Sequence, residues 1–327
     1  MTATIACVDV GQGDCTVAVD EDTGEGLLID CRGGKHQQAV EELRHLGLTE
    51  LREAIVSHTQ LDHFGGVLDT LEQLADRFTG TLHFNQDSLM ATPAVGDERK
   101  VAGQRLRALI NRASEFGDRV RRAEDTAPPG TVGSLSWKVL APSYAEVVAA
   151  IAKGDPNLAS GIVLLKVGSD AAVIGGDAQL GTWERIAEHV PKAAVVRWPH
   201  HGGAIDDDPD AHTTLREILK PATVIVSVGA RNGNGHPTGP FFAALGGRPG
   251  RLLCTQATPA CVSGGGAGGV CAGTIRIRLG ASDGPAVTTA SPNHAAVVAA
   301  FGNGQCTTGR ELNASPRAAA GPRAKAP

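Results

Sequence analysis

The sequence predicts an α/β sandwich of two similar halves. Three observations carry that reading. Short apolar strands alternate with stretches of helical periodicity, and the alternation occurs twice along the 327 residues. In both halves a strand runs straight into a polar loop that holds His or Asp. The composition, with 42 glycines, 18 prolines and only 3% aromatics, implies many turns and a core of Ala, Val, Leu and Ile, which excludes a helical bundle or coiled coil.

The elements follow in order. Thr4 to Val10 and Cys15 to Val19 are rich in β-branched residues, with the turn Gly11-Gln12-Gly13-Asp14 between them. Gly24-Glu25-Gly26 is a second turn, and Leu27-Leu28-Ile29 a short buried strand that ends in Asp30. Ala39, Val40, Leu43 and Leu46 have helical spacing, with Gly47 as the stop. Ala54-Ile55-Val56 is a strand, Leu68, Leu71, Ala75 and Phe78 mark a helix, and Thr81 to Phe84 a strand. Ala102, Leu106, Leu109, Ala113 and Phe116 give one apolar face to a basic helix, read as an insertion at about 97–122. The second half has strands at Ile162–Val167 and Ala171–Ile174, a helix from about Thr182 to His189, and strands at Ala193–Trp198 and Thr223–Val228. Residues 1–311 read as one domain and 312–327, rich in Ala, Pro, Gly, Arg and Lys, as a disordered tail.

Composition bounds the function classes. No run of 18 apolar residues occurs, so no membrane span is expected, and Met1 to Val10 lacks the basic and apolar regions of a signal peptide. These features imply a cytoplasmic protein with no membrane partner. A net charge of −5 does not mark a nucleic-acid binder as a whole.

Three strand-end loops share one construction: Val56 then Ser57-His58, Ile174 then Gly175-Gly176-Asp177, and Trp198 then Pro199-His200-His201. Strand ends are where α/β folds place ligands. Imidazole and carboxylate suit zinc, manganese or iron. His58, Asp62 and His63 lie within six residues, close enough to aim one group at a metal and two at a neighbour. A carboxylate such as Asp177 can bridge two cations, and a metal pair about 3.5–4 Å apart can hold a hydroxide and clamp a phosphoryl oxygen. Alone, the His-x-x-x-Asp-His stretch could cap a helix with surface histidines. Gly65-Gly66, Gly176-Asp177 and His200-His201-Gly202 together favour metal.

The order of these stretches resembles the metallo-β-lactamase fold hydrolases, in the branch typified by the hydrolase domain of the competence DNA-uptake protein ComEC. The matching stretches are Val8 to Asp14, Leu28-Ile29-Asp30, Ser57 to Gly66, Asn157 to Ser160, Gly176-Asp177, Pro199 to Gly202 and Gly235-His236-Pro237. The resemblance implies a four-layer αββα sandwich and one or two divalent metal ions, zinc or manganese. It implies His58 on one metal, Asp62 and His63 on the other, Asp177 as the bridge, and His201 as a ligand, with His200 facing the substrate or leaving group. Asp14 and Asp30 would support the ligands from behind, and His236 would be a proton donor or phosphate contact at the cleft rim.

One position departs from the family pattern. Two residues after His58 the family has His or Asp, and this chain has Gln60, whose neutral amide is the weaker ligand. The first metal position is therefore expected to be short of ligands. A second feature is charge. Residues 99–122 hold eight basic and two acidic side chains, so Arg105, Arg107 and Arg112 are candidate contacts to a phosphate backbone, against a solvated amphipathic face as the alternative. Among the seven cysteines, Cys254, Cys261 and Cys271 frame a Gly-rich run. Reduced thiols, a Cys261–Cys271 disulfide and a thiolate zinc site with Cys306 all remain open.

The function expected from these residues is metal-dependent hydrolysis of a phosphodiester, with DNA or RNA among the candidate substrates. A carbonyl ester, lactone or thioester is the alternative within the enzyme class. A binding or regulatory member of the fold, with Gln60 as the mark of lost turnover, is the alternative outside it.

Overall fold

The structure is a computed structural model that describes residues 1–85, 87, 91, 97–116, 119–192, 194–206, 208–246, 251–261, 269–292 and 294–301. Cys306 and the 312–327 tail lie outside them.

The first half supplies β1 (Ala3–Cys7), β2 (Cys15–Asp20), β3 (Glu25–Cys31), α1 (His36–His45), β4 (Glu50–Ile55), α2 (Leu61–Phe64), α3 (Val67–Gln73), β5 (Phe78–His83), α4 (Asp97–Phe116) and β6 (Val120–Arg121). The second supplies β7 (Gly130–Val132), β8 (Leu135–Ala141), α5 (Tyr144–Lys153), β9 (Ile162–Val167), β10 (Asp170–Ile174), α6 (Leu180–Ile186), β11 (Val195–Arg197), α7 (Ala211–Leu219), β12 (Thr223–Val226), α8 (Gly239–Leu245) and β13 (Arg251–Cys254). A small ribbon, β14 (Gln256–Ala257) with β15 (Gly269–Val270), precedes β16 (Ile275–Leu279), β17 (Ala286–Thr289) and α9 (His294–Phe301).

Two large sheets form among the described residues, besides the two-stranded β14-β15 ribbon. Their orders are β17-β16-β1-β2-β3-β4-β5-β6 and β13-β12-β11-β10-β9-β8-β7. Each sheet joins an antiparallel part to a parallel part, β3-β4-β5-β6 in one and β10-β11-β12-β13 in the other. That is the similarity of the two halves. The C-terminal β16 crosses back to pair with β1, so the chain's end completes the first sheet.

Strand residues alternate between faces and both faces are covered. Val163, Leu165, Ala172 and Ile174 of the second sheet meet Ile5, Ala18, Leu27 and Ile29 of the first in one core. Leu164, Ala171 and Val173 point the other way, into a layer with Trp183, Leu215 and Phe241 from α6, α7 and α8. Val17, Val19 and Leu28 likewise face Val40, Leu43 and Leu71 of α1 and α3. The layers therefore run helix, sheet, sheet, helix. This is the αββα sandwich, and it buries near-continuous apolar strands as parallel sheets require.

The region 97–122 differs from its expectation. The helix ends at Phe116, and Val120–Arg121 is a strand parallel to β5. The segment is therefore a β-α-β crossover of the first sheet, not an added helix. Leu106 and Leu109 are buried in the same core as α3, which explains the apolar face.

Candidate metal centre

The C-terminal ends of the parallel strands carry the site. β3 carries Asp30 one residue before its end, β4 leads to Ser57 and His58, β10 to Asp177, and β11 to His200 and His201. Strand β2 runs opposite to β3, so its first turn, with Asp14, reaches the same end. Parallel strands aim every such loop one way, and the sandwich brings both sheets' loops to one edge.

Close backbone approach builds the cradle. Gly13 has φ +132°, and a Cβ there would stand 2.6 Å from the carbonyl oxygen of Asp62, which accepts the backbone N–H of Asp14 at 2.8 Å. Gly176 has φ +50°, and its Cβ would stand 2.4 Å from Ser160 Oγ. Asp30, His200 and His201 are held at φ 56°, 54° and 54°, a left-handed conformation that is uncommon for such residues and clusters at functional sites.

Four side chains converge. Asp177 Oδ1 lies 3.2 Å from His63 Nε2 and 3.8 Å from His201 Nε2. Asp62 Oδ2 lies 3.5 Å from His201 Nε2. Behind them, His63 Nδ1 faces Asp30 Oδ2 at 3.0 Å and Asp14 Oδ2 at 3.3 Å. His201 Nδ1 is 2.9 Å from the Ser227 carbonyl oxygen and 3.3 Å from Asp14 Oδ1. Both imidazoles are thus turned so that Nε2 faces Asp177. Asp14 and Asp30 therefore lie on the Nδ1 side of these rings, the side from which an orienting carboxylate would touch an imidazole that binds metal through Nε2.

His58 is buried beside His63, with ring centroids 4.2 Å apart, and Asp177 Oδ2 lies 3.8 Å from its Nε2. Gln60 Oε1 is closer, at 2.9 Å from the same nitrogen. At the rim, His236 stacks on His201 with centroids 6.4 Å apart and meets His200 edge-on at 5.2 Å. Nδ1 of His200 donates to the Ala204 carbonyl at 2.6 Å.

The electrostatics gather positive charge. Burial raises the Asp177 carboxyl, but the His63, His201 and His58 rings outweigh it and hold the group well below the usual range. Asp62 is likewise lowered, with His201 and His63 overcoming burial. Burial disfavours the His63 imidazolium, yet Asp177, Asp30 and Asp62 raise it well above its ordinary value. His58 is lowered, by burial first and the neighbouring His63 second. Burial also lowers His236 to about 4.

The donor set fits a metal ion. His63 Nε2, His201 Nε2 and Asp177 Oδ1 are buried with no hydrogen-bond partner, and such orphaned atoms are costly unless a cation satisfies them. Groups of potential ligand atoms within 4.8 Å of one another occur at His58, His63 and Asp177, and at Asp14, His63 and His201. In the second group Asp14 approaches Nδ1 atoms and is ion-paired to Arg197, so its part is support.

Arg105, Arg107 and Arg112 are not brought to this cluster. Arg105 forms a two-point ion pair with Asp69 of α3 at 2.9 and 3.1 Å, and Arg112 pairs with Glu115. Arg107 is exposed. The expected basic track is therefore largely neutralised within the fold. Cys254, Cys261 and Cys271 are buried, with no disulfide among them in the described residues, and Cys271 Sγ lies 3.4 Å from His294 Nε2.

Four contributors went unread in the sequence. Ser57 and Ser160 hydrogen-bond around His58, Arg197 pairs with Asp14 inside the fold, and Ser227 supplies the carbonyl that orients His201. Arg197 left a signal, a lone charge inside the apolar run Ala193 to Trp198.

No protein-family model matches the chain, and no curated protein matches it. Several solved structures are similar to it. A variant of the CmlA β-hydroxylase aligns over 77% of this chain at 12% identity and TM-score 0.45, and the chain spans 52% of that protein's length. The metallo-β-lactamase fold protein YhfI from Bacillus subtilis aligns over 77% of this chain and 96% of its own, at 11% identity and TM-score 0.45. A diphosphatase from the PhnP family aligns over 85% and 98%, at 12% identity and TM-score 0.44. At such low identities the case for a metal centre rests on this chain's own donor atoms.

Proposed function

We propose that the protein is a metal-dependent hydrolase acting on a phosphodiester. The observation that carries this reading is the convergence of Asp62, His63, Asp177 and His201 at the strand ends, with three of their donor atoms buried and unpartnered. These four side chains would hold a zinc or manganese ion, which would supply Lewis acidity and a nucleophile at neutral pH. The chain's own part is positional. Asp14, Asp30 and the Ser227 carbonyl hold the His63 and His201 rings, which keeps both Nε2 atoms toward the cluster. Asp62 is the partly exposed member, so substrate enters on its side, and its carboxylate accepts a hydrogen bond from the attacking water.

The rim histidines divide the remaining work. His236 is neutral at pH 7 because burial lowers it to about 4, so it contacts a phosphoryl oxygen as a hydrogen-bond donor. His200 donates Nδ1–H to Ala204, which leaves Nε2 as an acceptor that takes up the proton released by the attacking water and passes it to the leaving oxygen. Among the described side chains of α4, Lys100 and Arg107 are exposed basic groups that a nucleic-acid substrate would meet.

The test is a substrate panel on metal-loaded protein. It sets bis-p-nitrophenyl phosphate, single- and double-stranded DNA and RNA, and cyclic nucleotides against p-nitrophenyl acetate, a lactone and a thioester. Turnover of the diesters alone supports the reading. Turnover of the carbonyl substrates alone replaces it, and turnover of none removes the enzyme class.

A further inference from the structure

His58 differs from the other buried site histidines in that both its ring nitrogens are engaged. Nε2 is 2.9 Å from Gln60 Oε1, and Nδ1 faces Ser57 Oγ at 3.1 Å and Ser160 Oγ at 3.2 Å. The partners fix the protons. The Ser57 hydroxyl donates to Asp30 Oδ2 at 2.6 Å, so its one proton is committed. Gln60 Oε1 can only accept, so a neutral His58 ring carries its proton on Nε2 and donates it to Gln60. Nδ1 is then the ring's acceptor, and the Ser160 hydroxyl donates to it while its oxygen accepts the Asp177 backbone N–H at 2.8 Å. His63 Nε2 and His201 Nε2, by contrast, have no partner.

We propose that this centre holds one metal ion, on Asp62, His63, Asp177 and His201, and that Gln60 makes it so by occupying His58 Nε2 with a hydrogen bond. The proposal rests on the metal-hydrolase reading for its metal and goes beyond it in stoichiometry and in the role of His58. A second ion at His58 would have to displace the Nε2 proton and break the bond to Gln60. It would gain in return one imidazole, a neutral amide oxygen and the second oxygen of Asp177, too few strong donors for a zinc or manganese site. His58 is thereby a positioning residue. The chain Gln60–His58–Ser160 ends on the Asp177 amide and fixes the loop that presents that carboxylate.

The experiment reads metal binding, not turnover. Full-length protein is stripped with chelator, titrated with Zn²⁺ or Mn²⁺ by calorimetry, and its bound metal is counted by elemental analysis after desalting. Wild type is expected to hold about one ion per chain, and Gln60→His about two, because an added imidazole completes the second position. His58→Ala is expected to keep its ion, and His201→Ala to lose it. Two ions of comparable affinity in wild type overturn this proposal alone, as does loss of the single ion in His58→Ala that folds normally. No bound ion in any variant overturns the proposal together with the metal-hydrolase reading. Wild-type stoichiometry decides the matter even where His58→Ala does not fold.

Discussion

The carboxylate of Asp177, in the loop after β10 of the second sheet, lies 3.2 Å from Nε2 of His63, in the short helix α2 that follows β4 of the first. Neither sheet holds the centre alone. The contact also explains the opposed shifts of the pair. Asp177 is held ionised and His63 is favoured as a cation, so the same carboxylate field favours either a ring proton or a bound cation. Protons and metal should compete there.

Removing the carboxylate of Asp177 should therefore cost metal directly. Asp177→Asn is expected to bind Zn²⁺ at least about 10–100-fold more weakly than wild type, a loss no smaller than that for removing an outer-shell partner. Competition with a chromogenic chelator measures it.

Asp30 should act through its neighbours. It accepts from the Ser57 backbone N–H at 2.7 Å and faces His63 Nδ1 at 3.0 Å. Asp30→Asn keeps the shape but can present an N–H donor to His63. We expect metal affinity to fall about 10–100-fold with an unchanged far-ultraviolet circular dichroism spectrum. Unaltered affinity would show that His63 is held by Asp14 alone.

Arg197 is the partner on which buried Asp14 depends. Arg197 is 2% exposed and Asp14 1%, and the two are ion-paired. Arg197→Met leaves a buried carboxylate without its cation, and breaking such a pair costs about 3–5 kcal/mol. Urea denaturation should show that loss. The double variant Arg197→Met with Asp14→Asn should recover part of it.

His212 gives a pH dependence away from the metal centre. Its Nδ1 accepts the Trp198 indole N–H at 3.1 Å, and burial lowers the group to about 4. The unfolded chain takes up this proton near pH 6.5, whereas the folded one resists it to about pH 4. Stability from His212 is thus complete above pH 6.5 and is lost as pH falls toward 4, by up to about 3 kcal/mol. His212→Gln keeps an acceptor for Trp198 and should flatten the decline over that window in urea titrations at several pH values. An unchanged slope would exclude His212 as its source.

Much of this site was legible because its residues sit where apolar runs stop. His58, Asp177 and His201 each follow a β-branched strand, and the eye needs only the end of the run. The expected strands at 15–19, 27–29, 162–167 and 171–174 stand within one or two residues of those found. What failed was long-range pairing. Nothing local in Ile275–Leu279 says that it joins β1, and Arg105 seemed available because its partner Asp69 lies far back in sequence. Helix α5 did carry a readable mark, the Ser143 and Glu146 capping box. The support of His63 and His201 by Asp14 was half legible, and Arg197 beneath it was not, because an ion pair between strands leaves no spacing in either.

Strand β1 lies between β2 and β16, and this order sets a condition on synthesis. While the ribosome has delivered only the first two hundred and fifty residues or so, β1 is the rim of its sheet, with one row of amide and carbonyl groups unmatched. Such a rim invites pairing with other chains. It is closed only when Ile275–Leu279 arrives, so the first strand of this sheet to be made is among the last to be sealed. A transcript truncated before that point encodes every residue of the candidate metal centre and still leaves a sticky edge.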